Sequence, residues 1–540
     1  MDAEVRTVVR KGTGGLKSAR VAAGFVSLGL ILLVAGIQFG REVLMSLKDY
    51  NIFEGIIGSP WVGLDNYRVF FERPGGAKVI INTVLFNLLF AGFCFVVSFI
   101  AGAVISCLSK RSIVRDALAV LALLPVFIPG EVYTTWFFDL LGTFPFINAG
   151  SVFFLLPFLV SLKYAGIPIM MTHVLGILKK EKDRLLPVKC AGLFSVTAMS
   201  LAGTGYFSSM YLFMNPLILE SSDILDTFSF RTGFQSMQIS IQAAAGVLQV
   251  LVCLVSLALL FIPIKILFKS TFSGEKEYMK NSAFEAIPGS VLALAAFVFL
   301  YLLPYILNGK LSGFLRLQWM AAGNWDTLGS LPERTAFIIP PSVTIQWIIV
   351  SLAAALLCTG IAFAAGGFSD GGKTARICGV TLLVVITLLT VQPFTFSGYM
   401  SLRSFGMINT YAAVMLASMF SAAAVWAYAA MRGDRHITGT RGLLFGILGI
   451  FLIQTALIYS NGTSALIYLS RPDMSPLLMY KQLLTITHSV PDFASRPALA
   501  GSLGISGIML SFPPILIFLL AKVILPAESM LAVIAAGRKQ

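Results

Sequence analysis

About twelve apolar runs, each near the twenty residues that a helix needs to cross hydrocarbon, limit what this chain can fold into more than any other feature. They lie near 21–39, 79–108, 117–137, 151–177, 190–214 and 237–264, then near 287–308, 341–366, 376–393, 409–431, 441–460 and 498–523. Hydrocarbon offers backbone groups no water, so each run must close its hydrogen bonds within itself, as a helix. Of 540 residues, 57% are apolar and only 12% charged, about half of what a soluble protein spends on its surface. Soluble-enzyme, disordered and collagen-like folds are excluded. The expected fold class is an all-α polytopic membrane protein with about twelve transmembrane helices.

The net charge of +14 does not point to nucleic acid, because the 39 Lys and Arg fall in short segments between the apolar runs. Summed by side, about 24 lie with the N-terminus and about 13 opposite, which puts both termini in the cytoplasm. The first span reads as an uncleaved signal anchor. Each half has a long outer segment after its first span and another after its fifth. The chain therefore reads as two parallel six-helix repeats: residues 1–270, a basic cytoplasmic linker at 271–286 with Lys276 and Lys280, and residues 287–540. Phe146-Ile147-Asn148 before the fourth span is echoed by Met407-Ile408-Asn409 before the tenth. The six cysteines, Cys94, Cys107, Cys190, Cys253, Cys358 and Cys378, read as buried small apolar residues, and three scattered histidines suggest no metal site.

Two outer segments carry longer motifs. Ser46 to Phe71 reads SLKDYNIFEGIIGSPWVGLDNYRVFF, with Lys48, Tyr50, Asn51, Gly55, Ser59, Trp61, Val62, Gly63, Leu64, Asn66 and Tyr67 in order. After the fifth span, MNPLILESSDILDTFSFRTGF places Asn215, Pro216, Glu220, Asp223, Asp226, Thr227, Arg231 and Gly233. Both blocks resemble the outer segments of carbohydrate ABC importer permeases. The second half is similar to the partner permease of such importers, through RPDMSPLLMYKQLL at 471–484 and the closing PPILIFLLAKVILPAESMLAVIAAGRKQ. The resemblance implies two permease subunits fused in one chain, in a bacterial cytoplasmic membrane, around one translocation path.

It also implies partners: a cytoplasmic ATPase dimer and an extracellular solute-binding lipoprotein, besides membrane lipid. In this resemblance the chain binds no cofactor of its own and ATP would be hydrolysed by a partner subunit. The chain is not expected to be an enzyme. The family's cytoplasmic E-A-A-x-x-x-G coupling element is missing from both corresponding loops. The first is Lys179-Lys180-Glu181-Lys182-Asp183-Arg184-Leu185-Leu186-Pro187, and the second runs from Arg432 through Asp434 and Arg435 to Thr440. Nine residues give at most about 13 Å of helix. The candidate ATPase-facing residues are Lys180, Glu181, Lys182, Asp183, Arg184, Arg432, Asp434 and Arg435.

Lys163 is the clearest charge inside a span, either a path residue or a lysine at the headgroups. Glu131 and Asp139, beside Pro125 and Pro129, either line a broken helix on the path or are solvated helix-end charges. Trp61, Asn66, Glu220, Asp223, Asp226 and Arg231 are candidate receptor-docking residues. Against that, the charged cluster could satisfy itself, and Trp61 could be an interfacial aromatic. Gly501, Gly504 and Gly507 suit close helix packing. Three functions compete: an ATP-driven carbohydrate importer permease; a permease-derived scaffold, receptor or sensor that has lost its drive; and an ion-gradient carrier, for which intramembrane carboxylates and relay histidines are sparse.

Overall fold

The computed structural model describes residues 2–109, 112–141, 149–179, 182–200, 219–273, 283–307, 339–390, 396–433, 440–489 and 497–525. Among them there is no strand, only one isolated antiparallel bridge between Lys48 and Trp61. The principal helices of the first part are α1 (Asp2–Ser46), α2 (Gly76–Cys107), α3 (Ile113–Leu123), α4 (Gly130–Leu141), α5 (Ala149–Tyr164), α6 (Gly166–Leu178), α7 (Leu186–Ser200) and α8 (Ile239–Phe272). The second part contributes α9 (Ala283–Leu307), α10 (Pro341–Ala365), α11 (Lys373–Leu389), α12 (Tyr411–Ser418), α13 (Ala422–Gly433), α14 (Thr440–Ser460), α15 (Pro476–Ser489) and α16 (Pro497–Ile524).

Among the described residues, eight stretches are long and apolar enough to cross a membrane, which makes this a multi-pass membrane architecture. They are Lys17–Ser46, Gly76–Cys107, Phe153–Leu178, Ile239–Phe272, Ile287–Leu307, Pro341–Asp370, Leu443–Ser460 and Gly501–Ile524. Four of the twelve expected spans differ. The third is not straight: α3 and its 3-10 tail Leu124–Phe127 meet α4 at 111°. Pro125 and Pro129 bring no amide hydrogen, so the helical ladder cannot run through this corner. The tenth is also a bent pair, α12 and α13 at 45°, where the Ser421 hydroxyl accepts from the Ala424 amide and starts α13 afresh. At the fifth, α7 has 15 residues, about 22 Å, and 201–214 lie outside the described residues. At the ninth, α11 has 17 residues, about 26 Å, short of a roughly 30 Å core.

The expected linker is shorter than 271–286, because α8 runs on to Phe272 and α9 begins at Ala283; Lys276 and Lys280 lie outside the described residues. Cys94, Cys190, Cys253 and Cys358 are buried, but Cys107 and Cys378 are exposed, which corrects the expectation for those two.

The two parts interlock. The first helix of each reaches across to the other: α1 packs on α10 and α11 as well as on α8 of its own part, and α9 on α3 and α4 as well as on α16. Each does so at a glycine. A Cβ on Gly24 would strike the backbone of Gly367 and Phe368, and one on Gly289 would strike the Asp116 carboxylate. One main core runs through both parts, holding Phe127, Val132, Leu156, Tyr301, Tyr480 and Phe518 among its buried residues. Within it, 67% of the apolar stretch of Phe153–Leu178 is buried, against 22% for α1, so the fourth expected span is central and the first faces outward.

Candidate functional site

The segment after α1 folds on itself through the residues of its own motif. Asn66 is buried and its amide donates to the carbonyls of Ser46 and Lys48, both at 2.9 Å. Lys48 Nζ donates to the Ile56 carbonyl at 2.7 Å, and the Asn51 amide to the Ser59 hydroxyl at 3.0 Å. Gly55 and Gly63 take φ of +68° and +61°, which a side chain resists. Asn66 thus holds the loop together, while Trp61, Phe53 and Ile57 of the same segment are exposed, at 61%, 97% and 96%.

The segment at 219–240 turns its charges inward. Asp223 and Asp226 are buried. Asp223 accepts from Thr227 Oγ1 at 2.8 Å and pairs with Arg231, and its backbone carbonyl accepts from the Asn82 amide. Asp226 Oδ1 accepts from Gln249 Nε2 of α8 at 2.6 Å, and Oδ2 has no partner among the described residues. Burial pushes the Asp226 carboxyl up to about 7, against the pull of the Gln249 bond. Burial also raises Asp223, opposed by Arg231 and Thr227. Of this cluster, Arg231 is the half-exposed member; Glu220 lies on the short helix Leu219–Ser222, with its side chain outside the described set.

The seam between the two parts gathers ionisable groups that are far apart in sequence. Lys163 sits in mid-span, 8% exposed, with Nζ over the rings of Tyr133 and Tyr164 at 5.8 and 5.7 Å. It is buried in the protein interior. Glu131, in the first turn of α4, feels both Lys163 and Lys481 of α15, and its carboxylate lies against Gly462. Glu131 Oε2 is buried and unpartnered among the described residues. Burial lowers the Lys481 ammonium to about 8, against the attraction of Glu131. Asp139 accepts from Tyr305 Oη of α9 at 3.3 Å, and Tyr301 of α9 donates to the Gly504 carbonyl of α16 at 3.2 Å.

Following α16 along the seam, the Ser506 and Ser511 hydroxyls come next, buried without partners among the described residues. Phe518 then stacks on Phe127, ring centroids 4.3 Å apart, with the Phe127 carbonyl accepting from Ser460 Oγ of α14. One turn further, Lys522 pairs with Asp116 of α3 and donates to Ser290 Oγ of α9 at 3.3 Å. Asp116 Oδ1 also meets His173 Nε2 of α6 at 3.1 Å. An aromatic plug therefore separates two buried charged clusters, each drawing on both parts of the chain. Groups of this kind are costly in a membrane and persist where they face one another or a solute.

Of the candidate ATPase-facing residues, Asp183 and Arg432 are engaged within the protein. Asp183 takes ion pairs from Lys179 at 2.8 Å and Lys189 at 2.9 Å. Burial alone would raise its carboxyl, and these two bonds outweigh that and hold it low. Lys182 and Arg184 are exposed, while Lys180 and Glu181 lie outside the described residues. Arg432 pairs with Asp370 at 3.1 Å and lies 4.4 Å from the Phe363 ring, so it faces inward; Asp434 and Arg435 are outside the described residues.

No protein-family model matches the chain, and no curated protein matches it. Sequence reasoning singled out Lys163, Glu131 and Asp139 and missed Asp116, His173, Lys481 and Lys522. Lys522 carried a signal, a cation inside an apolar run. His173 and Asp116 carried none, since 57 residues separate two groups that only packing brings together. Among the described residues no three His, Cys, Asp or Glu are placed to hold a metal.

Proposed function

We propose that this chain is the membrane-spanning permease of an ABC-type importer for a carbohydrate solute, with two six-span halves in one polypeptide facing each other across the path. The observation that carries the reading is the seam: Glu131 feels Lys163 and Lys481, and Asp116 pairs with Lys522, so buried charges collect where the two parts join. The bridging by α1 and α9 supports the duplication, because the first helix of each half also packs on the other half. So do the corners they reach. Asp116 at the start of the third span pairs with His173 late in the fourth, and Asp370 before the ninth pairs with Arg432 at the end of the tenth. In this reading both termini are cytoplasmic, the membrane is the bacterial cytoplasmic one, and Trp61 with Phe53 and Ile57 forms the surface for an extracellular binding lipoprotein.

A second reading, a permease-derived scaffold or sensor without ATP drive, is favoured by the loops: Asp183 is tied down by two lysines and Arg432 is turned inward. One experiment separates them. With cysteines at Lys182 and Thr438, the protein is crosslinked in native membranes and its partners are identified by mass spectrometry. Capture of an ATPase, with solute-dependent ATP hydrolysis by the purified complex, supports the importer. Outer partners with no ATPase support the scaffold.

A further inference from the structure

We propose that Glu42 is a proton-binding site that ties the C-terminal end of α1 to the second part of the chain. Glu42 lies near the end of the apolar stretch Lys17–Ser46 and is 0% exposed. Its two oxygens meet donors from two other helices. Oε1 accepts from Gln242 Nε2 of α8 at 2.8 Å, and Oε2 from the Ser397 amide, in the first turn of the helix Phe396–Ser404, at 3.4 Å. No cation bonds to this carboxyl among the described residues. Arg41 Nη1 donates to Ser401 Oγ at 3.0 Å, Lys48 Nζ is turned to the Ile56 carbonyl, and Asp49, Glu54 and Arg403 are exposed. The charges of the other elements packed on α1, which are Lys265 and Lys269 of α8, Asp370, and Lys373 and Arg376 of α11, lie at the far ends of those elements.

A carboxylate with no cation beside it is an uncompensated charge, here among apolar neighbours that include Met45, Ile239, Ala243 and Phe396. The acid form is neutral, and it brings a donor to a place that lacks one: the Ser397 hydroxyl is buried without a partner among the described residues. Gln242 and Ser397 both stand in the first turns of their helices, where the helix-end partial charge favours an anion, so the ionised form is within reach as well. The site therefore exchanges a proton rather than holding one permanently. Occupancy has a structural consequence, because Glu42 and Ser397 are 355 residues apart and belong to different parts. With the proton bound, α1, α8 and Phe396–Ser404 close on a neutral hydrogen-bonded group. With it lost, the charge must be hydrated, and water enters as Phe396–Ser404 moves off α1.

The full-length chain, purified in detergent, is titrated with acid and base and followed by infrared difference spectroscopy against Glu42→Gln. The carbonyl stretch of a protonated carboxyl separates from carboxylate bands, and the difference cancels other buried acids such as Asp226. A band belonging to Glu42 is expected, shifted in Ser397→Ala and lost as pH rises from about 6 to about 9. Should Glu42→Gln fail to melt cooperatively, Ser397→Ala supplies the difference, since it moves the same band. Cysteines in place of Arg41 and Ser401 report the helix, because those side chains meet at 3.0 Å. Disulfide formation at this pair, read by mass spectrometry, should fall over the same pH range relative to the pair carrying Glu42→Gln; thiol oxidation itself quickens with pH, and the comparison at each pH removes that effect. No Glu42 band at any pH in this range would overturn the proposal. So would a band that persists unchanged throughout, or crosslinking that follows one curve in both backgrounds. Neither measurement uses a solute, an ATPase or a receptor, so failure here leaves the importer reading untouched.

Discussion

Removing Asp116 should cost far more stability than removing the lysine it pairs with. The two side chains come from α3 and α16, and both are largely enclosed, at 19% and 6% exposure. Asp116→Ala leaves the Lys522 ammonium buried with only Ser290 Oγ at 3.3 Å as acceptor, an uncompensated interior charge worth about 3–5 kcal/mol. Lys522→Met leaves the carboxylate its contact with His173 at 3.1 Å and puts an apolar chain of similar length in the gap, a loss of about 1–2 kcal/mol. Once Asp116 is gone, replacing Lys522 by Met removes the stranded charge, so the double variant should be more stable than Asp116→Ala alone. Unfolding of the detergent-solubilised protein, followed by tryptophan fluorescence at one pH and lipid content, measures all three. Equal costs for the single variants, adding without interaction in the double, would show that the pair is not the buried link described here.

Three further outcomes follow from particular contacts. The Asp226 carboxyl titrates near 7 in the folded protein against an ordinary 3.8, so the folded state holds a proton that the unfolded chain has already released. Stability should fall as pH rises from about 4 to about 7, by at most ~4 kcal/mol, and level off above; Asp226→Asn should flatten that slope, and an unchanged slope in the variant would rule Asp226 out as its source. Asn66→Leu removes two hydrogen bonds that hold the segment after α1, a loss of about 1–3 kcal/mol, and should speed proteolysis between 47 and 75 in intact membranes; an unaltered cleavage rate would contradict the structural role given to Asn66. Gly289→Ala should destabilise by about 1–3 kcal/mol through contact with the Asp116 carboxylate and cost less in an Asp116→Ala background, where the carboxylate is gone but the Cβ at 3.0 Å stays; equal costs in both backgrounds would place the clash elsewhere.

Where the sequence could be read directly, the reason is local. A run such as 239–272 is a helix because nothing else closes its backbone hydrogen bonds in hydrocarbon, and Ile239–Phe272 is among the longest helices found. The Pro125 and Pro129 pair marked a broken helix, and α3 and α4 meet there at 111°. Spans without such punctuation were harder: nothing in 409–431 declared the 45° bend between α12 and α13. Lys163 was legible as a charge out of place, but its surroundings were not, since Tyr133 and Glu131 reach it from another helix, α4. Asp223 and Asp226 looked available for docking because charged residues in an outer segment are usually solvated, whereas here Thr227, Arg231 and Gln249 turn them inward.

By itself the sequence determined that this is a helical multi-pass membrane protein, because hydropathy over about twenty residues is a property of consecutive side chains and needs no partner to be felt. Tertiary structure alone decided that α1 and α9 each bridge to the other part, that Phe127 and Phe518 stack between two charged clusters, and that Asp116 lies between His173 and Lys522. Those features depend on which helix faces which. Inside lipid, nearly every apolar helix face is equally acceptable to its solvent, so the choice falls to glycines, aromatic rings and buried charges whose partners lie up to 406 residues away.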